Sequence, residues 1–200
     1  MNSEKLKVKK KVRNEGRPGY KKTKVGWIPE EWNAEKLGMH VGIISGNSPA
    51  VYNPGNSGAY PFVKVDDMNL CSIYQSSARL YSSVNKALVP EGAIIFAKRG
   101  AAIATNKVRI AECPLVMDSN MMALVAKDSI DYLFLYYSIL KEKLWKIADT
   151  STIPQINNKH IKPYRIPLPP LPEQKKIAEI LSAWDRAIEQ VAGSSMPSSG

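Results

Sequence analysis

The chain reads as an α+β protein: a compact domain of short mixed strands with a few helices, followed by a C-terminal coiled-coil-type helix. Three observations carry that reading. Short apolar runs bounded by Gly, Asn, Ser and Pro recur between residues 41 and 125. One longer stretch, Ser129 to Ile147, repeats apolar residues every three or four positions. A second such stretch follows a proline-dense joint and keeps a stricter, heptad-like spacing.

Residues 1–24 carry ten Lys or Arg against Glu4 and Glu15, a net of +8 out of +10 for the whole chain. With little apolar mass to bury, they are expected to form a basic flexible arm. Order is expected from Gly26, where Trp27 and Trp32 offer something to bury. Val41 to Ile44 reads as a strand end running into a loop, 45–58, of Gly, Asn, Ser and Pro. Tyr60 to Val65 reads as a strand stopped by Asp66 and Asp67. Ala93 to Ala97 and Ala101 to Ile110 are expected as strands around a Lys98-Arg99-Gly100 loop, and Asn120 to Val125 as another.

The first helix is expected over Ser129–Ile147, where Ile130, Leu133, Phe134, Tyr137, Leu140, Leu144 and Ile147 form one stripe. Asp128 and Asp131 near its start and Lys141, Lys143 and Lys146 near its end suit the helix dipole. Five of the fourteen prolines fall between Pro163 and Pro172, which predicts an extended, stiff connector that ends the domain. Pro172 and Glu173 suit the first turn of a second helix, in which Ile177, Leu181, Trp184, Ile188 and Val191 make a narrow seam. The expected division is an arm at 1–24, a domain at 25–170, a helix at 171–192 and a Gly/Ser/Pro-rich linker or appended tail at 193–200.

The net charge favours an anionic partner, although residues 25–170 alone carry only fifteen basic against twelve acidic side chains. No apolar run approaches the roughly 20 residues that span a bilayer, and no apolar segment follows the lysine-rich N-terminus. With only Cys71 and Cys113, both expected as reduced thiols, the protein is expected to be cytoplasmic. Neither a GxxxxGK[ST] loop nor a strand-linked GxGxxG is present. His40 and His160 read as surface or hydrogen-bonded side chains, and Asp66, Asp67 and Asp118 as strand-end turn residues. Glu173-Gln174-Lys175 matches half of a nuclease motif but has no upstream acidic partner. No catalytic centre, metal site or cofactor is therefore expected in this chain.

Binding chemistry is better represented. Lys98 and Arg99 on a loop after a buried strand, with Asn106, Lys107 and Arg109 close behind, are the residue types that position phosphates and read base edges. A solvated hairpin tip explains the same spacing equally well. Ser151, Thr152 and Gln155 lie in a polar stretch that can hydrogen-bond nucleic acid or, more simply, cap a turn.

Several segments together resemble the DNA specificity subunit of type I restriction–modification systems. They are Gly26-Trp-Ile-Pro-x-x-Trp32, Gly46-Asn-Ser-Pro, Tyr60-Pro-Phe-Val-Lys-Val-Asp-Asp-Met68 and Gly92-Ala-Ile-Ile-Phe-Ala-Lys-Arg-Gly100. The most specific is Thr152-Ile-Pro-Gln-Ile-Asn followed by Ile166-Pro-Leu-Pro-Pro-Leu-Pro-Glu-Gln-Lys-Lys-Ile-Ala-Glu-Ile-Leu181. The resemblance implies a target recognition domain that binds double-stranded DNA and reads one half of a bipartite sequence. It further implies a spacer helix that packs in a coiled coil and docks modification subunits. S-adenosylmethionine, ATP and Mg would belong to the partner modification and restriction subunits, and this chain would be non-catalytic. Carried onto the sequence, Lys98 and Arg99 would contact DNA first, then Asn106, Lys107 and Arg109, with Ser151, Thr152 and Gln155 at the border. Ile177, Leu181, Trp184 and Ile188 would face a second helix, from another recognition half or a second copy. A protein-interaction adaptor with a basic tail, or a stand-alone DNA-acting enzyme, are the competing readings.

Overall fold

A hairpin opens the chain in this computed structural model, which describes residues 17–149 and 153–194. It joins β1 (Tyr20–Thr23) to β2 (Gly26–Pro29), pairing Tyr20 with Pro29 and Thr23 with Gly26. This corrects the expectation of a flexible arm for residues 20–23. Gly26, at φ 97°, permits the tight turn, and the Thr23 hydroxyl donates to Gly26 O and accepts from Val25 N. Residues 1–16 of the expected arm lie outside the described residues.

There follow β3 (Asn33–Lys36), α1 (Leu37–His40), β4 (Val41–Ser45), α2 (Pro49–Tyr52) and β5 (Tyr60–Val63). A 3-10 turn, Val65–Asn69, leads to β6 (Tyr74–Gln75) and β7 (Tyr81–Ser82). Then come β8 (Ile94–Ala97), β9 (Val108–Ala111), β10 (Val116–Met117) and β11 (Met121–Ala126). The rest is largely helical: α3 (Tyr132–Glu142), α4 (Leu144–Ile147), α5 (Asn158–Ile161), β12 (Arg165–Leu168) and α6 (Leu171–Ser194).

Five strands form the main sheet in the order β4-β11-β8-β9-β6, antiparallel except for the parallel edge strand β6. A three-stranded sheet, β10-β5-β7, lies beside it. Alternate residues of β8 and β11 enter two separate cores. Ile94, Phe96, Met122 and Leu124 pack with Phe134, Leu135 and Ile139 of α3. Ile95, Ala97, Met121 and Ala123 pack with Val63, Met68 and Met117. Burial on both faces explains why these strands read as unbroken apolar runs and not as an apolar–polar alternation.

Three further expectations are corrected. Residues 101–110 are not one strand: Ala101–Ile103 is a 3-10 turn, and the strand begins only at Val108. Gly100 and Asn106 adopt φ of 74° and 50°, which an extended strand does not permit. The helix expected over Ser129–Ile147 starts at Tyr132, capped by the Asp131 carboxylate on Phe134 N, and breaks at Lys143, whose φ is 64°. The Asn106 side chain spans that break, donating to Leu140 O at 3.0 Å and accepting from Leu144 N at 2.8 Å. The proline-rich segment is extended, as expected, but it is part of the domain's strand pairing and not only a connector at its end. Arg165–Leu168 pairs antiparallel with Asn33–Lys36, setting Pro167 opposite Ala34 in a two-stranded ribbon where each strand is an edge and proline is tolerated.

The final helix runs through Gly193 and Ser194, the first two residues of the expected tail, and residues 195–200 lie outside the described residues. Helix α6 docks along α3. Gln174, almost fully buried, accepts from Asp131 N and donates to Pro169 O at 2.9 Å and Ser129 O at 3.3 Å. The Trp32 indole donates to Glu173, and further along Tyr137 and Ser72 donate to Asp185 and Glu189. Burial and the Asp185 contact push the Tyr137 phenol well above the ordinary tyrosine range, so it remains a donor across neutral pH. None of the described helices is long and apolar enough to cross a membrane.

Replacing Gln174 by Leu strands one buried donor and two acceptors. It is expected to lower stability by about 2–4 kcal/mol, read from urea unfolding, since each unmet group costs roughly 1–3 kcal/mol.

Candidate nucleic-acid interface

Antiparallel pairing places the C-terminal ends of β4 and β8 and the N-terminal ends of β11 and β9 at one end of the main sheet. The loops there are 45–48, 98–107 and 118–120. Backbone hydrogen bonds sew them together: Lys98 N donates to Asn120 O at 2.8 Å, and Asn47 N to Met117 O at 3.0 Å. Gly46 approaches so closely that a β-carbon there would lie 2.0 Å from Asp118 O. That contact accounts for a glycine in the Gly46-Asn-Ser-Pro segment.

The segment around Gln155 runs along this loop as a strap. Gly100 N donates to Pro154 O and Ile156 N to Lys98 O, while Arg99 and Gln155 form an antiparallel bridge. Gln155 also exchanges backbone hydrogen bonds with Asp149. Lys98 and Arg99 are therefore held by main-chain bonds on both sides, and the Arg99 side chain is exposed. Partial burial, and then the neighbouring Arg99 guanidinium, lower the Lys98 pKa from its ordinary value, against the opposing pull of Asp118.

The expected set does not stay together. Lys98, Arg99, Lys107 and Gln155 share this end of the molecule. Lys107 donates to the Asn69 side chain, which draws the 3-10 turn against the loop before β9. Asn106 is turned inward to the helix break, and Arg109 is folded onto the main chain, its Nε on Met68 O and Cys71 O and its Nη1 on Val108 O. Both take part in the internal hydrogen bonding of the fold while remaining partly exposed. Ser151 and Thr152 lie outside the described residues.

Two basic residues at this end have no counterpart in the expected set. Because β10 runs parallel to β5, Asp118 N bonds to Val63 O and Lys64 comes to lie beside the 118–120 loop. Arg79, in the bend that leads into β7, ion-pairs with the buried Asp67 at 2.7 Å. Lys64, Arg79, Lys98, Arg99 and Lys107 thus converge from separate segments. At the opposite end a groove of about 730 Å³ is lined by Glu91, Glu112, Asp128 and Asp131 with Lys127 and Lys175, a mixed surface with an acidic excess.

Helix α6 presents a second surface. Ile177 packs against the main core, but Leu181, Trp184, Ile188 and Val191 are 38–69% exposed. The helix holds the domain in its outer half through polar Asp185 and Glu189 and turns its apolar seam to solvent. An apolar hollow of about 420 Å³, lined by Trp32, Phe134, Tyr137, Pro167, Ile177 and Leu181, opens at the head of that seam.

These features define a class: an α+β recognition module with a basic loop surface and an attached helix whose apolar edge is unfilled. Residues 29–193 match the type I restriction modification DNA specificity domain, and the chain belongs to that family. It is similar to two specificity subunits of type I restriction enzymes of Methanocaldococcus jannaschii. Identity to the MjaX subunit is 31% over 177 residues, covering 85% of this chain and 40% of that protein. Identity to the MjaIX subunit is 28% over 181 residues, covering 85% and 41%. Among solved structures, a chain from a study of the assembly and conformational transition of the type I R-M system superposes with a TM-score of 0.68. That chain is 25% identical, with 83% of this chain and 40% of that one covered. The HsdS subunit of Thermoanaerobacter tengcongensis superposes at 0.69 with 20% identity, covering 86% and 41%. The chain spans about two fifths of the length of these relatives.

Asn106→Ala is expected to destabilise the domain by roughly 1–3 kcal/mol in chemical denaturation, because it uncaps both sides of the helix break. Arg99→Ala, at an exposed position, should stay within about 0.5 kcal/mol of the parent.

Proposed function

We propose that this domain recognises one half of a bipartite DNA sequence as the specificity component, or part of it, of a type I restriction–modification complex. The observation that carries the reading is the basic loop end, where Lys98 and Arg99 are fixed by main-chain bonds from two directions. A backbone fixed in this way presents both side chains from a defined position, and Lys and Arg supply the phosphate and base-edge contacts that duplex recognition needs. Membership of the DNA specificity domain family supports the same conclusion.

In this reading the chain performs no chemistry. Methyl transfer and cleavage, with their S-adenosylmethionine, ATP and Mg, belong to the modification and restriction subunits with which it assembles in the cytoplasm. The seam Leu181, Trp184, Ile188 pairs with a second spacer helix, supplied by another recognition half or by a second copy. An exposed apolar line on a helix tied down by polar residues supports that assignment.

Two measurements test it. In a chain shortened to begin at Arg17, Lys98→Ala with Arg99→Ala is expected to weaken duplex binding and to reduce the slope of log affinity against log salt by about 1–2. An unchanged affinity and slope would remove these residues from the interface. Trp184→Glu is expected to leave the melting temperature within a degree or two of the parent, as a surface change should. It should abolish binding to a spacer-helix partner in sedimentation, and undiminished binding would place the contact elsewhere.

A further inference from the structure

We propose that Arg79 is a base-reading residue of this domain, aimed by the carboxylate of Asp67; the proposal rests on the DNA-recognition function put forward above. Asp67 is 2% exposed and sits in the 3-10 turn after β5. One carboxylate oxygen accepts from Lys64 N at 2.9 Å, and the other from Arg79 Nε at 2.7 Å and Arg79 N at 3.4 Å. The Arg79 side chain is nonetheless 61% exposed. Among the described residues no hydrogen bond engages its terminal nitrogens. The guanidinium is held by its inner nitrogen while its outer fork faces solvent.

The mounting is rigid along its whole path. Gln75, fully buried, donates from one amide nitrogen to both Asp67 O and Ser77 O, closing the loop that carries Arg79. Arg109 ties the same loop to β9 through Met68 O and Cys71 O, and Lys107 ties it through Asn69. Arg79 is thereby tied to the sheet that carries Lys98 and Arg99, although the bend that holds it leads into β7 of the neighbouring three-stranded one.

The ion pair decides between the two things an arginine does on DNA. A residue that serves mainly to attract phosphates gains from an uncompensated charge, and Asp67 compensates this one. What the pair preserves is direction, and a planar fork with fixed direction matches the two acceptors on the major-groove edge of guanine. Lysine, a point charge on a flexible stem, does not reproduce it.

Truncating Arg79 alone would leave Asp67 buried without its partner, so the informative variants are Arg79→Lys and the double change Asp67→Asn with Arg79→Ala. Random duplexes are selected against the full chain and against each variant, with circular dichroism melts verifying the fold. The expected result is a short sequence enriched by the parent, with preference at one base pair reduced about tenfold or more in both variants. Their salt slopes should remain within about half a unit of the parent's. If both variants enrich the parent's sequence with its full preference, the role of Arg79 falls while DNA recognition stands. A uniform loss across all sequences with a slope lower by about one would make Arg79 a phosphate contact and equally overturn it. If the parent enriches no sequence, the recognition function fails and this proposal with it.

Discussion

The buried amide of Gln174 governs how the recognition domain and the long helix meet. Its oxygen takes the amide hydrogen of Asp131, the residue whose carboxylate caps α3, and its nitrogen serves the carbonyls of Ser129 and Pro169. All three partners lie at the junction of α3, the proline-rich segment and the first turn of α6. Fixing that first turn sets the direction of the remaining helix, because an α-helix has no soft joint within it. The β3–β12 ribbon, the Trp32–Glu173 bond and the apolar hollow all converge on the same place. A domain joined by one hydrogen-bonded corner and a few polar tethers keeps its apolar seam outward.

The loop end depends on a different economy. Its charged residues come from three separate stretches, at Lys64, at Arg79 and in the 98–107 loop, and all but Lys107, which meets the exposed Asn69, are fastened by main-chain hydrogen bonds or by a buried side chain. Asp67, Gln75, Asn106 and Arg109 face inward and do the fastening, whereas Arg79, Lys98, Arg99 and Lys107 lie at the surface that they fasten. Polar residues of both groups look alike in the sequence. What separates Asn106 and Arg109 from Lys98 and Lys107, which are no more exposed, is that their side chains hydrogen-bond the fold's own main chain.

Much of the fold was legible because the strongest signals are local. The runs at Ile94–Ala97 and Met121–Ala126 announced themselves through continuous apolarity, and burial on both faces is the reason. The stripe from Ile130 to Ile147 was equally clear, but its break was not, since the side chain that spans it lies at Asn106. Proline density correctly implied extended backbone after Pro163 and could not reveal a pairing partner some 130 residues earlier. The hairpin at Tyr20–Pro29 was hidden by its own charge, which dominated the turn chemistry of Thr23 and Gly26. At the candidate site, Lys98-Arg99-Gly100 was legible as a loop after a buried strand. The bonds of Arg109 to Met68 O and Cys71 O were not legible, because strand alternation says which face a side chain takes and not what it meets there. Arg79 carried no signal at all, because its partner Asp67 reads as an ordinary strand-end turn residue.

The opposed charges at the two ends of the main sheet have a physical consequence of their own. Basic groups gather around Lys98 and Arg99, and Glu91, Glu112 and Asp128 line the far groove, so a nearly neutral domain carries a permanent electrical polarity. In a chain whose net charge is +10, such a polarity adds a torque to the net pull of a polyanion, and the torque favours an approach with the loop end leading. That torque acts only over about the Debye length, roughly 8 Å at physiological ionic strength, so the alignment belongs to the last moments of approach.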